Sequence, residues 1–517
     1  MFYYFIKHEF KSLLKTQRVI WALSVFSILF FLIFFLRIDA LEKKISQYNM
    51  NIEVTEKSLD NASNYSFLNP RAILRPKPFS VYNEGYDSNH GDVIDTKYFQ
   101  PILNSEVLNT ERNDFYSDAI KMDISFLVSF FLSLFIFLIS YDSINGEKET
   151  GTLRIIMTWN FKKVLFLYKK ILGIFCFVFV VFSLPYLISG LYMIIKFGNF
   201  ITLSFYFSYL IYWLAVSLFI AVISIAGVFT SLLSYKSNKS LVYALVFWLF
   251  LTIILPVTWD YFISENLYKH QLNQHTNNSR ELDNELREIL INIPDEANPD
   301  KVGHANWNGG YHFDVSVLGH RWTNEVHRNY MRYIHEVYYP TVKKLEFENL
   351  QSILISIQRE KIKRLIMFFN PVIVFQNLVN ASSGNSLMDY YQFLIDGIDI
   401  RDALIEQGVR DNWLFSNHFF ASYHPDYEIP FWPDYIKALN REPTEKDGVE
   451  FSKLTRQMLN NPPKNEFKRP DIKRYNQREI VLSELSKMIF QPVLFLVLTI
   501  IILNFANYKL FNKYDVR

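Results

Sequence analysis

Charge disappears from this chain in six long runs, and those runs predict its architecture. A helix rises about 1.5 Å per residue, so crossing a hydrocarbon layer about 30 Å thick takes roughly 20 apolar residues. Residues 19–36 meet that need between Arg18 and Arg37, 124–141 between Asp123 and Asp142, and 171–195 between Lys170 and Lys196. Pro185 and Gly190 are the expected kink points of the third run. Phe197 to Tyr235 is free of charge and longer than one span requires, which predicts a span over 207–233 after a short interfacial turn. Residues 240–259, with Pro256 near the end, and 488–508 complete the set. A further charge-free stretch, 365–388, contains Asn370, Pro371, Gln376, Asn377, Asn380 and Asn385. Hydrocarbon cannot satisfy so many amides, so this stretch is expected as a buried or interfacial helix of the outer domain. The expected fold class is an all-α polytopic membrane protein with six transmembrane helices and a large, mainly helical extracytoplasmic domain.

Lys and Arg in the short connections set the orientation. Lys7, Lys11, Lys15 and Arg18 precede the first span. Lys148, Arg154, Lys162, Lys163, Lys169 and Lys170 lie between the second and third, and Lys236 and Lys239 between the fourth and fifth. Lys509, Lys513 and Arg517 follow the last, whereas the short connection on the other side offers only Lys196. Six spans put all four basic sets on one side. The expectation is a multi-pass protein of the bacterial cytoplasmic (inner) membrane with both termini cytoplasmic.

The chain then divides into an amphipathic cytoplasmic-surface helix (1–18), the first span (19–36), an extracytoplasmic loop (37–123), spans two to five (124–259) with a cytoplasmic loop at 142–170, a large extracytoplasmic domain (260–487), the sixth span (488–508) and a cytoplasmic tail (509–517). The loop 37–123 is expected to continue the first helix to about Leu59 and then to run extended through Asn69-Pro70, Arg75-Pro76 and Lys77-Pro78. In the large domain, helices are expected over 279–293, over 321–369 with a candidate break at Tyr339-Pro340, and over 386–407. Residues 411–478, rich in Pro, Asn and aromatics, read as irregular surface structure.

Composition removes several function classes. A net charge of +2 is too small to suggest nucleic acid as a partner. The single cysteine, Cys176, rules out a disulfide framework. The first apolar run is long and has no small-residue cleavage site after it, so it reads as an uncleaved span. No charge lies inside any expected span, which argues against a carrier coupled to a midplane acidic site. His320, His327 and His335 recur at near-heptad spacing, but steps of seven residues are about 10 Å apart, too far for one ion to bridge. No Ser/His/Asp or paired-carboxylate arrangement stands out.

The connection after the second span, Tyr141-Asp-Ser-Ile-Asn-Gly-Glu-Lys-Glu-Thr-Gly-Thr-Leu-Arg154, carries the most information. Gly146 and Gly151 allow tight turns, and Thr150 or Thr152 can cap a helix running towards Trp159. On chemistry alone an ordinary solvated loop explains it too. It is not a nucleotide cradle, because Thr152 stands where a phosphate-binding Lys is required and no buried strand precedes it. Met1–Thr16 places Phe2, Ile6, Phe10, Leu13 and Leu14 on one helical face and Lys7, Lys11 and Lys15 on another, which suits a helix on the membrane surface.

An amphipathic N-terminal helix, six spans, and Asn-Gly-Glu-Lys-Glu-Thr-Gly-Thr-Leu-Arg between spans two and three resemble an ABC transporter permease of the ABC-2 type. In that family this loop, often Gly-Glu-Arg-Glu-x-Gly-Thr-Leu, precedes or forms the coupling helix that docks on the ATPase; here Lys148 stands in place of the usual Arg. The segments from Arg75 to Gly85, Asn370-Pro371 with Ser383-Gly384-Asn385, and Tyr514 to Arg517 resemble a longer branch with a large extracytoplasmic domain of unknown function. The resemblance implies a complex of two permeases, as homodimer or related pair, with two ABC ATPase subunits. It implies no catalysis and no cofactor on this chain, with ATP and Mg on the partner. Residue by residue, it places Glu147, Glu149, Gly151, Thr152, Leu153 and Arg154 at or near the ATPase contact.

Three functions follow as expectations. The first is the permease subunit of an ATP-driven ABC exporter embedded in membrane lipid. The second is an ATPase-driven transmitter of force to an extracytoplasmic envelope protein. The third is a membrane scaffold or receptor without an ATPase.

Overall fold

The computed structural model describes residues 10–513 except 63, 86–90, 103–121, 159–162, 264–267, 299–320, 385, 417–418, 420–431, 461–468 and 477–481. The amphipathic face expected over Met1–Thr16 therefore lies partly outside the described residues. Residues 10–15 are helical, and the Phe10 ring packs edge-on against Phe177 of the third span at 5.0 Å.

Among the described residues six helices are long and apolar enough to cross a membrane: Val19–Asp60, Ile124–Glu149, Val164–Phe200, Leu203–Leu232, Ser237–Thr258 and Met488–Asn512. The protein is an all-α polytopic membrane protein. An even number of crossings leaves the two termini on one side, the termini side, and the large folded domain on the other, the domain side.

Helix α1 (Gln17–Asp60) is the first span and about twice as long as a bilayer requires. Its far half projects on the domain side, where Arg469 and Arg474 pair with Asp60 and Glu56. Span two runs from Ile124 through a π turn, Leu127–Leu132, into α2 (Ser133–Ser140). Two short helices follow, α3 (Asn145–Glu149) and α4 (Thr152–Thr158). Span three is α5 (Lys163–Phe197), span four α6 (Leu203–Leu232) and span five α7 (Ser237–Leu249), which passes through a second π turn, Phe250–Ile254, into α8 (Leu255–Ile263).

Helix α6 is the hub of the bundle, and small side chains let its neighbours approach. A Cβ on Gly227 would collide with Ser140 of α2, and one on Gly190 of α5 would collide with the Tyr209 ring of α6. The π turns leave carbonyls open to outside donors. In span two, the Phe130 carbonyl accepts Trp248 Nε1–H from span five (3.3 Å). In span five, the Leu251 carbonyl accepts Nδ2–H of buried Asn370 (2.9 Å).

Beyond span five, α9 (Lys269–Ile291) lies beside α11 (Tyr339–Ile366), which α10 (Arg321–Tyr333) reaches through a π turn. Pro340 does not break this helix: its missing amide falls directly after the π turn Ile334–Tyr338, where the regular hydrogen-bond ladder is already interrupted. Helix α12 (Pro371–Ser383) starts at an Asn370 cap and ends at Gly384, whose φ of 66° is the left-handed value glycine accepts freely. Helix α13 (Leu387–Arg410) opens with a Ser386/Asp389 capping box.

The structure corrects the expected position of the 365–388 stretch. Helix α12 does not sit in the outer domain: Val372, Val374, Phe375, Leu378 and Val379 are buried in the same cluster as the spans, and Phe375 stacks on Phe219 of α6 at 4.7 Å. Asn370 and Asn380 tolerate this because they bond to the Leu251 carbonyl and to Asn83, while Gln376 is exposed. A second correction falls on 411–478, which contains α14 (Trp432–Leu439) and α15 (Glu445–Asn460) rather than only irregular chain. Span six closes the chain as α16 (Leu482–Lys513), and its buried Asn507 donates to the Ile225 carbonyl of α6 (3.0 Å).

The domain-side core is held at one point by a buried ion pair. Arg401 of α13 grips Glu346 of α11 with two hydrogen bonds of 2.6 and 2.8 Å, while its Nη1 also donates to the Gln100 carbonyl (2.9 Å). The Glu346 carboxylate accepts the Ile102 amide as well (2.9 Å), so one network ties α11, α13 and the first loop together. That loop also contributes strands β1 (Arg71–Ile73) and β2 (Val93–Asp95), paired antiparallel with Ala72 opposite Ile94.

Candidate coupling site

The turn between spans two and three is fastened to the ends of spans four and five by small hydroxyl side chains. Ser231 Oγ of α6 accepts the Ile144 amide (3.2 Å), and the buried Asn145 side chain donates to Ser234 Oγ (3.0 Å). The Ser240 hydroxyl of α7 donates to the Tyr141 carbonyl (2.6 Å). Helix α3 thus leaves the bundle at a fixed angle.

The reversal from α3 to α4 is made at Gly151, whose φ of 75° disfavours any side chain. Thr152 Oγ1 then donates to the Glu147 carbonyl (3.0 Å), closing the last turn of α3 against the first of α4.

The six residues singled out from the sequence are all here, but they divide into two kinds. Glu147 pairs with Lys170 of α5. Glu149 accepts the Ser237 amide (2.9 Å) and the Ser237 hydroxyl (2.7 Å), capping the start of α7 from a distance. Leu153 is buried in the bundle core. These three fasten the turn to spans three and five. Gly151, Thr152 and Arg154 are exposed, as is Ile155, which adds an apolar contact to the same face with 61% of its surface open. Lys148 lies over the Tyr235 ring at 3.9 Å, a cation–π contact. The site is therefore a clamped bracket with a small outer face of mixed chemistry.

At the opposite end of the bundle, residues 77–84 form a plug that sequence reading marked only as a family resemblance. The 3₁₀ turn Pro78–Val81 is wholly buried. Tyr82 enters the bundle, with Tyr186 at 5.2 Å, Phe79 at 5.6 Å and Tyr209 at 5.7 Å between ring centroids, and it shares a hydrogen bond with Ser189 (3.0 Å). Asn83 donates to Asn380 (2.9 Å) and Ser383 (3.1 Å) of α12, and Lys77 reaches the Gly384 carbonyl. Glu84 pairs with Arg37 at 2.7 Å, and its amide donates to Asp123 (3.1 Å). Burial pushes the Asp123 carboxyl up to about 6, against the opposing pull of the Phe126 and Glu84 amides and of Arg37. The pairs Pro78-Phe79 and Val81-Tyr82 set among polar residues were the available signal; the partners in α12 lie some 300 residues away.

The histidine series carries no metal chemistry among the described residues, where no cluster suited to an ion exists. His320 lies outside them. His327 is buried, which drives its pKa down to about 3, with Arg328 adding to the fall. His335 packs among Phe99, Tyr339 and Phe415.

Six long apolar helices around a shared core define a polytopic membrane protein. The family model of the ABC-2 family transporter proteins matches residues 4–516, and the chain belongs to that family, whose membrane proteins partner with ABC ATPase subunits. Among curated proteins none matches the chain.

Proposed function

We propose that this protein is the permease subunit of an ATP-driven exporter and that a separate ATPase docks on the α3–α4 bracket. The observation that carries the reading is the division of that bracket: Glu147 and Glu149 fasten it to spans three and five, Ser231 ties it to span four and Leu153 is core, while Gly151, Thr152, Arg154 and Ile155 face outward. A push on the outer face would be borne at once by spans three, four and five. The basic residues Lys148, Arg154 and Lys236 mark this side as cytoplasmic by the positive-inside trend, where ATP is available. ATP and Mg belong to the partner, and a second permease, identical or related, completes the complex. Purification of the tagged protein from its native membrane tests the reading: an ABC ATPase should co-purify in a near one-to-one ratio, and its consistent absence would leave only the scaffold or receptor role.

A second reading, force transmission to an envelope protein, is favoured by one observation. Helix α12 is bonded both to the π turn of span five and to the plug, and leads within a few residues into α13 of the domain. Motion in the spans would reach the domain through it. A continuous open passage between two permeases in the ATP-bound complex would contradict this second reading.

A further inference from the structure

The end of α11 nearest the membrane carries four cations in six residues, Arg359, Lys361, Lys363 and Arg364, with Glu360 as the one carboxylate among them. Two packing contacts set their depth. Phe368, just past α11, lies against Phe495 with ring centroids 5.3 Å apart, and Phe495 is about 10 Å inside the start of span six at Met488. Met367 packs with Leu255, about 5 Å inside the end of span five at Thr258. Helix α11 rises from there towards the domain, where Val342 and Leu345 are core. Arg364 and Arg359 are therefore about 5 and 12 Å further out than Met367, spanning the level of lipid headgroups.

Neither arginine hydrogen-bonds or ion-pairs with a described residue, and the Nε–H of each is shut off from solvent. A guanidinium that is partly desolvated and has no carboxylate partner favours an anion with several oxygens. Directly beneath, Leu365, Phe368 and Phe369 remain exposed at 54%, 45% and 44%. Cations stacked one turn above open apolar side chains match a phosphate headgroup above its acyl chains.

We propose that this collar binds the phosphate of an anionic phospholipid in the domain-side leaflet. The apolar patch commits the site to a lipid rather than to a free anion. The inference rests on the membrane embedding alone and stands whether or not an ATPase docks at the other end.

Native mass spectrometry of the full-length protein in detergent tests it, with phosphatidylglycerol and phosphatidylcholine of equal chain length as probes and inorganic phosphate as competitor. The expected result is at least fivefold greater retention of phosphatidylglycerol, unchanged by millimolar phosphate, and a loss of most of that preference in R359Q/R364Q. A second variant, K361Q/K363Q, alters the two lysines instead and should lower the preference by about twofold, so a folding defect in the arginine variant leaves the test intact. Equal retention of the two lipids, or the full preference kept in either folded variant, would overturn the proposal. Displacement of the lipid by phosphate alone would overturn the assignment to a lipid.

Discussion

The two ends of the helix bundle are closed by opposite means. On the termini side, the bracket is held by polar bonds, from the buried hydroxyls of Ser231 and Ser240 and the carboxylates of Glu147 and Glu149, with Arg154 and Ile155 left open. On the domain side, the plug is held by full burial of Phe79, Val81 and Tyr82 and by amide bonds to α12. A hydrogen bond contributes about 0.5–1.5 kcal/mol net, whereas truncating a buried aromatic costs about 3–5 kcal/mol. The first end keeps an open outer face on which the packing does not depend, and the second is part of the core.

That contrast can be broken at several points. The largest effect is expected from Tyr82→Ala, which empties a site ringed by Phe34, Tyr186, Tyr209 and Tyr212 and should cost about 3–5 kcal/mol. Denaturant unfolding in detergent measures it, and a loss below about 1 kcal/mol would show that the plug is not structural.

Asp123 gives a pH-dependent contrast. Its folded pKa, about 6, lies above its ordinary 3.8, so protonation favours the folded state. This stabilisation is present at low pH and is lost as pH rises through about 6, by at most about 3 kcal/mol. The groups facing it are Arg37 and Glu84. The Tm of the wild type relative to D123N should therefore rise when the pH is lowered from 7.5 to 5. A constant difference would contradict the account.

Asn370→Ala removes both the cap of α12 and the donor to the Leu251 carbonyl and is expected to cost about 1–3 kcal/mol, again by denaturant unfolding. Glu149→Ala, on the opposite end, removes only the remote cap of α7 and should lower stability less than Asn370→Ala does. If Glu149→Ala proved the more damaging of the two, the contrast between the ends would be reversed.

The six spans were legible because a helix in lipid must be long and free of charge, a property of each segment by itself. The bracket was legible as a motif, since Gly151 and the charged residues around it are local. The separate duties of Glu147 and Glu149 were not legible: their partners, Lys170 and Ser237, become neighbours only when spans three and five assemble. Helix α12 was misplaced for the same reason. Its amides argued against lipid, yet Asn370 meets a carbonyl exposed by a π turn and Asn380 meets Asn83 of the plug, two partners that no local pattern announces. Helices α14 and α15 were hidden by the Pro- and aromatic-rich sequence around them.

The central claim is that the outer face of the bracket receives an ATPase while its inner face holds the bundle. Arg154→Glu tests it most directly, because Arg154 is exposed and no span depends on it. In full-length protein the Tm should stay essentially unchanged, as expected of a surface substitution, while association with the co-purifying ATPase, measured by titration in detergent, weakens at least tenfold. Normal ATPase binding and hydrolysis by the folded Arg154→Glu complex would contradict the account.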